Sequence, residues 1–319
     1  MNTIIIDGLS YALPLLIIAI GGIYSERSGV VNLALEGLLG FGAFSGGLFV
    51  ASTAGLFAPT STVPMYISFA VAALGGALFA TLHAVLCIKF RANQVISGVV
   101  VNIVSVALTG FFTSTLNATV FGQASNKFML QTSPRWTIPY LSDIPVLGAI
   151  FTNFYPFAII IMIVAAFCWY LLYRTRYGLH LRAAGDNPQA LDAAGIDVSK
   201  VRFGAVMMSG ALAGIGGMCF AYSISTNFSP AIYFGSGYLA IAALIFGNWK
   251  IMPTLGACLI FGLARSAAYQ LVLGLNANAS VADLAMIVPY VITLLLLAFF
   301  SKSNQAPRAL GELYDKSKR

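Results

Sequence analysis

Charge is what this sequence has least of. Of 319 residues, 8% are Asp, Glu, Lys or Arg, 59% are hydrophobic, and the mean hydropathy is +0.88. A soluble domain carries about 25% charged residues, so composition argues against one. Catalytic motifs are lacking too. No GxxxxGK[ST] run is present to cradle a nucleotide phosphate, and there is no H-E-x-x-H pair for zinc. His83 and His180 are the only histidines. His180 sits in a charged stretch and His83 stands alone in an apolar run, which leaves no Ser–His–acid set and reads His83 as a packed polar group near a helix end. Cys87, Cys168, Cys219 and Cys258 are scattered through apolar runs without CxxC spacing. They read as small buried hydrophobes rather than a disulfide or metal frame. The opening MNTIIIDG has no basic n-region, so no cleaved signal peptide is expected.

What is there in abundance is long apolar runs, several reaching the roughly 20 residues a bilayer crossing needs. The expected class is all-α: a polytopic helical membrane protein of about nine spans, eight to ten allowing for re-entrant segments. They fall at 9–24, 31–51, 64–88, 95–115, 154–173, 203–224, 232–247, 251–273 and 283–300, the first and seventh short for a crossing. Basic residues set the orientation. Placing 174–202 in the cytoplasm gathers fourteen of the seventeen Lys and Arg on that side; Lys127 and Arg135 lie opposite, and Arg265 lies in a span. The N-terminus is then outside and the C-terminus cytoplasmic. Residues 1–301 read as one transmembrane domain and 302–319 as a solvated basic tail. The external loop 116–153, with Trp136 and Tyr140 suited to the interface, is either a docking surface or a connector. The net charge of +7 flanks spans instead of forming one face, which argues against nucleic acid and for contact with membrane lipid.

Within 174–202 one short helix is marked out at both ends. Asn187 is a good N-cap, Pro188 suits the first helical position, and Gly195 stands where a left-handed residue ends a helix. Gln189, Ala190, Leu191, Asp192, Ala193 and Ala194 make about two turns, with Ala190, Leu191 and Ala194 as a small apolar patch. A two-turn helix in water is marginal, so it needs a surface to lie on, and docking to a partner is favoured over a plain connector.

A solute path is sought among polar residues in apolar runs. Glu36 and Arg265 are the two charges well inside spans, where ionisable groups are expensive. Arg265 reads equally well as a helix–helix contact, to a carbonyl or to Glu36, and as a pore-lining group. Asn32, Gln94, Asn102 and Asn227 offer both donors and acceptors for a neutral solute, and Tyr222, Tyr233 and Tyr238 can stack on a ring. The alternative, that such groups are polar glue between helices, is favoured for any one of them but not for the set. Gly-rich stretches at 21–47 and 229–249 share Ser-Gly followed by Leu-Ala or Ile-Ala at equal spacing (28–34 and 236–242), a weak sign of an inverted repeat.

GGIYSERSGVVNLALEG, RANQVISGVVVN, LRAAGDNPQALDAAGIDV and GSGYLAIAALIFGNW together resemble the permease subunits of ABC importers in the branched-chain amino acid and ribose permease superfamily. The SERSGVVNLALEG form is most similar to the nucleoside and simple-sugar branch. That resemblance implies an inverted-repeat importer fold in the bacterial inner membrane, non-enzymatic in itself. It implies an ABC ATPase subunit that holds the ATP and Mg, a second homologous permease, and an external substrate-binding lipoprotein or periplasmic protein. It maps the coupling helix onto Asn187–Ala194 and favours nucleosides, purine-type above all, over simple sugars. An ion-coupled secondary carrier is the alternative from another class.

Overall fold

The computed structural model describes residues 2–58, 61–130, 133–144, 147–231, 235–274, 287–300 and 305–315. The expected Tyr233, the loop residues 131, 132, 145 and 146, the span residues 283–286 and the tail residues 302–304 and 316–319 lie outside the described residues.

Eleven helices follow in order among the described residues. They are α1 (Asn2–Arg27), α2 (Leu35–Ser52), α3 (Val63–Ala84, continued by a π-turn Val85–Lys89), α4 (Gln94–Thr119), α5 (Phe157–Arg174), α6 (Arg176–Asp186), α7 (Pro188–Ala193), α8 (Val198–Phe220, continued by a π-turn Ala221–Ser225), α9 (Ser236–Phe246), α10 (Ile251–Gly274) and α11 (Val288–Phe300). Seven of these runs are long and apolar enough to cross a membrane. The protein is therefore a multi-pass, mostly helical membrane protein.

Two expectations need correcting. The first span is not short: α1 runs for 26 residues, taking in the polar ends that the hydropathy window left out. The second begins at Leu35 instead of 31, because residues 28–34 form a turn opened by Gly29 at φ +97°. The seventh is short as expected. The 11 residues of α9 rise about 16 Å at 1.5 Å per residue, against a hydrocarbon core of about 30 Å.

The core is built on α1 and α8. From Leu15 to Glu26, α1 is buried on every side, and it packs against α8, α10, α9 and α5. α8 meets α2 and α3 through glycines: a Cβ at Gly210 would run into the backbone of Gly76, and one at Gly214 into Ala72 and Gly42. In lipid, small residues let helix backbones approach, and packing then supplies the attraction. α4 and α5 turn Ile96, Ile103, Phe111, Ile163 and Phe167 outward, as lipid- or partner-facing helices do.

The turns sort to two ends of this bundle. At one, a two-residue antiparallel pair joins Phe128–Met129 to Asn227–Phe228, and Trp136 bridges Phe154. At the other, the basic turns gather: Arg27 Nε donates to the Trp249 carbonyl at 3.0 Å, and Arg91 pairs with Asp315 at 3.4 Å.

Candidate functional site

Three places have polar structure inside an apolar molecule. The first is where the N-termini of α2 and α9 meet. The turn 28–34 lacks helical hydrogen bonds, and a bare backbone group in hydrocarbon costs several kcal/mol. Side chains from other helices fill the gaps. Gln94 Oε1 accepts the Val31 N–H at 2.7 Å, and His83 Nε2 lies 3.0 Å from the Val31 carbonyl with Ser97 Oγ 2.9 Å from Nδ1. Asn32 Oδ1 accepts from Ala34 N–H, and its Nδ2 donates to Ser209 Oγ at 2.8 Å. Asn102 Oδ1 accepts the Gly37 N–H at 2.7 Å, and its amide donates to the Leu33 carbonyl and to Tyr238 Oη. Glu36, in the first turn of α2, receives Gly235 N–H at 2.7 Å and Gly237 N–H at 2.6 Å, so its carboxylate sits on the N-terminus of α9. Negative charge is favoured there.

Five of the residues expected along a solute path, Asn32, Glu36, Gln94, Asn102 and Tyr238, are thus brought together; the first four are buried and bond to protein backbone, whereas Tyr238 is 46% exposed and its hydroxyl is met by the Asn102 amide. Asn227 is separate: its amide donates to the Ser225 carbonyl beside the β-pair. Tyr222 is buried edge-on to Phe69. The equal spacing of 28–34 and 236–242 does not give equal structure, since Ser28–Gly29 lies in a turn while Ser236–Gly237 opens a helix.

The second place is the basic end. Asn187 Oδ1 accepts the Ala190 N–H at 3.0 Å, Pro188 opens α7, and Gly195 takes φ +81° to end it. Leu191 is buried with Ala184 and Val198, whereas Gln189, Ala190, Ala193 and Ala194 are exposed. Only part of the expected apolar patch is therefore buried within this chain. Ahead of α7, the sequence reading left α6 unmarked; Thr175 caps it by accepting the Gly178 N–H.

The tail departs from the expectation of a solvated segment. Ala309 N–H donates to the Gly185 carbonyl at 2.7 Å, Gly311 N–H to Gly29, and Gln305 N–H to Asn248 Oδ1. Arg202, buried at 3% exposure, donates to carbonyls of three segments: Ser28 at 3.0 Å, Ala184 at 3.1 Å and Glu312 at 2.9 Å. Sequence reasoning missed Arg202 because it was counted only as one more basic residue beside a span.

The third place is a cavity of about 290 Å³ among α1, the turn after α8, α10 and the 135–155 segment, lined by Asp7, Tyr11, Tyr155, Ser223, Arg265 and Ser266. The Arg265 guanidinium lies 4.0 Å over the Tyr11 ring rather than on Glu36. Arg135 is engaged with Tyr155, whose Oη it meets at 2.8 Å. The hydroxyls of Ser223 and Ser266 are buried without a hydrogen-bond partner. Tyr11 Oη, 3.5 Å from Ser236 Oγ, links this cavity to the start of α9. Asp7, also missed, had one signal: a carboxylate one helical turn before Tyr11.

Residues 4–297 match the family model described as branched-chain amino acid transport system / permease component. The chain belongs to that family. The permease is 40% identical over 321 residues to the nucleoside ABC transporter permease protein NupC of Lactococcus lactis, covering 100% of this chain and 98% of that one. It is 38% identical over 326 residues, with the same coverages, to the guanosine ABC transporter permease protein NupQ of Bacillus subtilis. A second Bacillus subtilis protein, the guanosine ABC transporter permease protein NupP, is 25% identical across 95% of the permease and 82% of its own length. The permease is accordingly an ABC transporter component.

Proposed function

We propose that this permease forms the translocation path of an ATP-driven importer for nucleosides of purine type, in the bacterial inner membrane. The observation that carries the substrate is the end-to-end likeness to permeases named for nucleosides and guanosine. The basic end faces the cytoplasm, as positively charged turns do, with both chain ends placed accordingly: N-terminus outside, C-terminus inside. There the exposed side of α7, residues 187–195, meets an ATPase subunit that holds ATP and Mg. The opposite end, with the 116–153 segment, receives solute from an external binding protein. A second permease of the same family completes the path. Two permeases named for guanosine in one organism, at 38% and 25% identity to this chain, support an unlike pair.

The test is uptake by cells carrying the whole transporter. Labelled inosine should enter, unlabelled purine nucleosides should compete, pentoses should not, and ATP depletion should stop entry. Competition by pentoses alone would replace nucleosides with simple sugars. Uptake that survives ATP depletion and collapses with the ion gradient would make it a secondary carrier.

A further inference from the structure

The Arg265 cavity has no role in the family reading, and its chemistry is specific. A guanidinium presents five N–H donors in a rigid fork. At Arg265, among the described residues, no oxygen accepts a hydrogen bond from any of them; a tyrosine face holds the group in place and leaves the donors open. The carboxylate of Asp7 takes only a 3.4 Å contact from the Gln270 amide among the described residues. Ser266, at 6% exposure, keeps a buried hydroxyl without a partner. The Ser266 hydroxyl, buried without a partner, costs about 1–3 kcal/mol, and beside it the half-buried Arg265 and Asp7 keep open hydrogen-bonding capacity on one wall of an apolar helix bundle. A solute that pairs them recovers that cost.

The set also selects the solute. An anion gains from Arg265 and from Arg135, which lines the same cavity against Tyr155, but leaves the Asp7 carboxylate without a donor and is repelled by it. A pentose offers hydroxyls to Asp7 but no flat pair of acceptors for the fork. A 6-oxopurine nucleoside offers both: O6 and N7 side by side, which arginine grips bidentately, and a ribose diol that donates to a carboxylate. A 6-aminopurine turns an N–H₂ toward the same fork, donor against donor. At about 290 Å³ the cavity lies at the small end of ligand pockets, about 300–1,000 Å³.

We propose that this cavity is a nucleoside subsite within the permease itself, in which Arg265 reads the 6-oxo edge of the purine and Asp7 holds the ribose diol. It rests on the nucleoside reading above. Its position beside the start of α9 puts the bound solute next to the place where the N-termini of α2 and α9 meet.

The test uses the complete transporter in proteoliposomes, with the binding protein saturated by either inosine or adenosine so that its own preference drops out. Wild type should move inosine faster. In Arg265→Gln the inosine rate should fall about tenfold or more, the worth of one bidentate pair, with adenosine little changed. Arg265→Lys keeps the charge and a donor toward O6 but not the fork, and should reduce the preference less than Arg265→Gln does. Asp7→Asn should narrow the difference between inosine and 2′-deoxyinosine. Equal losses for both purines in Arg265→Gln, or a preference undiminished in both Arg265 variants, would overturn the subsite and leave the importer reading standing. No nucleoside transport by wild type would remove both. If Arg265→Gln fails to assemble, Arg265→Lys and Asp7→Asn carry the decision, each on a ratio of two substrates that a loss of folded protein does not move.

Discussion

Asn102 shows what the buried amides do. It holds the Gly37 N–H, the Leu33 carbonyl and Tyr238 at once, and the two backbone groups belong to a segment entering or leaving the turn at 28–34. Side-chain hydrogen bonds between membrane helices average about 0.6 kcal/mol, because lost partners are replaced. A backbone group stranded by the loss of its partner costs more, about 1–3 kcal/mol. Asn102→Ala should therefore destabilise the permease by about 1–3 kcal/mol, read as a lower unfolding midpoint in mixed detergent. Asn227→Ala, which removes one local bond beside the β-pair, should change it little; equal shifts would contradict the bracing role. The sequence located these amides but not their targets. An Asn in an apolar run is visible as a polar group, whereas its partner depends on where a helix fails to start. Residues 31–34 are as apolar as the span they precede, so nothing in hydropathy marks Val31 N–H or Leu33 C=O as needing help. Arg265 is the converse case: the expected contact to Glu36 is not made, since that carboxylate lies on α9, and the guanidinium packs over Tyr11 on the wall of a cavity.

Among elements, the long helices were legible because twenty apolar residues in a row permit little else. α7 was legible for a different reason, since its Asn, Pro and Gly each carry a backbone rule. α6 was not, because RYGLHLRAAGD has neither a long apolar run nor a distinctive stop; it is held by the Thr175 cap, by its packing on α1, α5, α7 and α8, and by bonds from Arg202 and Ala309 to its last carbonyls. The β-pair between 128–129 and 227–228 is two residues long and joins segments about a hundred apart, beyond any local pattern. α7 is held to its own chain mainly through Pro188 and Leu191. Gln189, Ala190 and Ala193 are exposed on its outer side. Replacing 187–194 by a Gly/Ser linker should leave membrane insertion intact while abolishing ATP-driven uptake and reducing ATPase co-purification. Normal uptake in that variant would remove α7 from the drive. Close approach of helices gives a separate expectation. Gly214→Leu has no space between Ala72 and Gly42 and should lower the yield of folded protein, measured as the monodisperse fraction after solubilisation.

For the whole molecule, two-ended sorting of the turns was legible from Lys and Arg alone, and hydrogen bonds among Arg27, Arg91, Arg202, Gly185 and Asn248 gather the same turns at one end. The docked tail was not legible, because QAPRALGELYD is polar and short and its main bonds are from backbone to backbone. Deleting 305–315 removes the Glu312 carbonyl from Arg202 and the Ala309 bond from Gly185. The expected result is faster protease cleavage within 176–197 and weaker ATPase co-purification, with insertion unchanged; an unaltered digestion pattern would make the tail a passenger. One consequence concerns biosynthesis. Residues 305–315 come after all eleven helices in chain order, yet they touch the turn after α1, the end of α6 and the turn before α10. A ribosome working from the N-terminus cannot close this face until the last of those helices has been made. The closed face thus forms only after residues 305–315 have been made, later than every helix it touches.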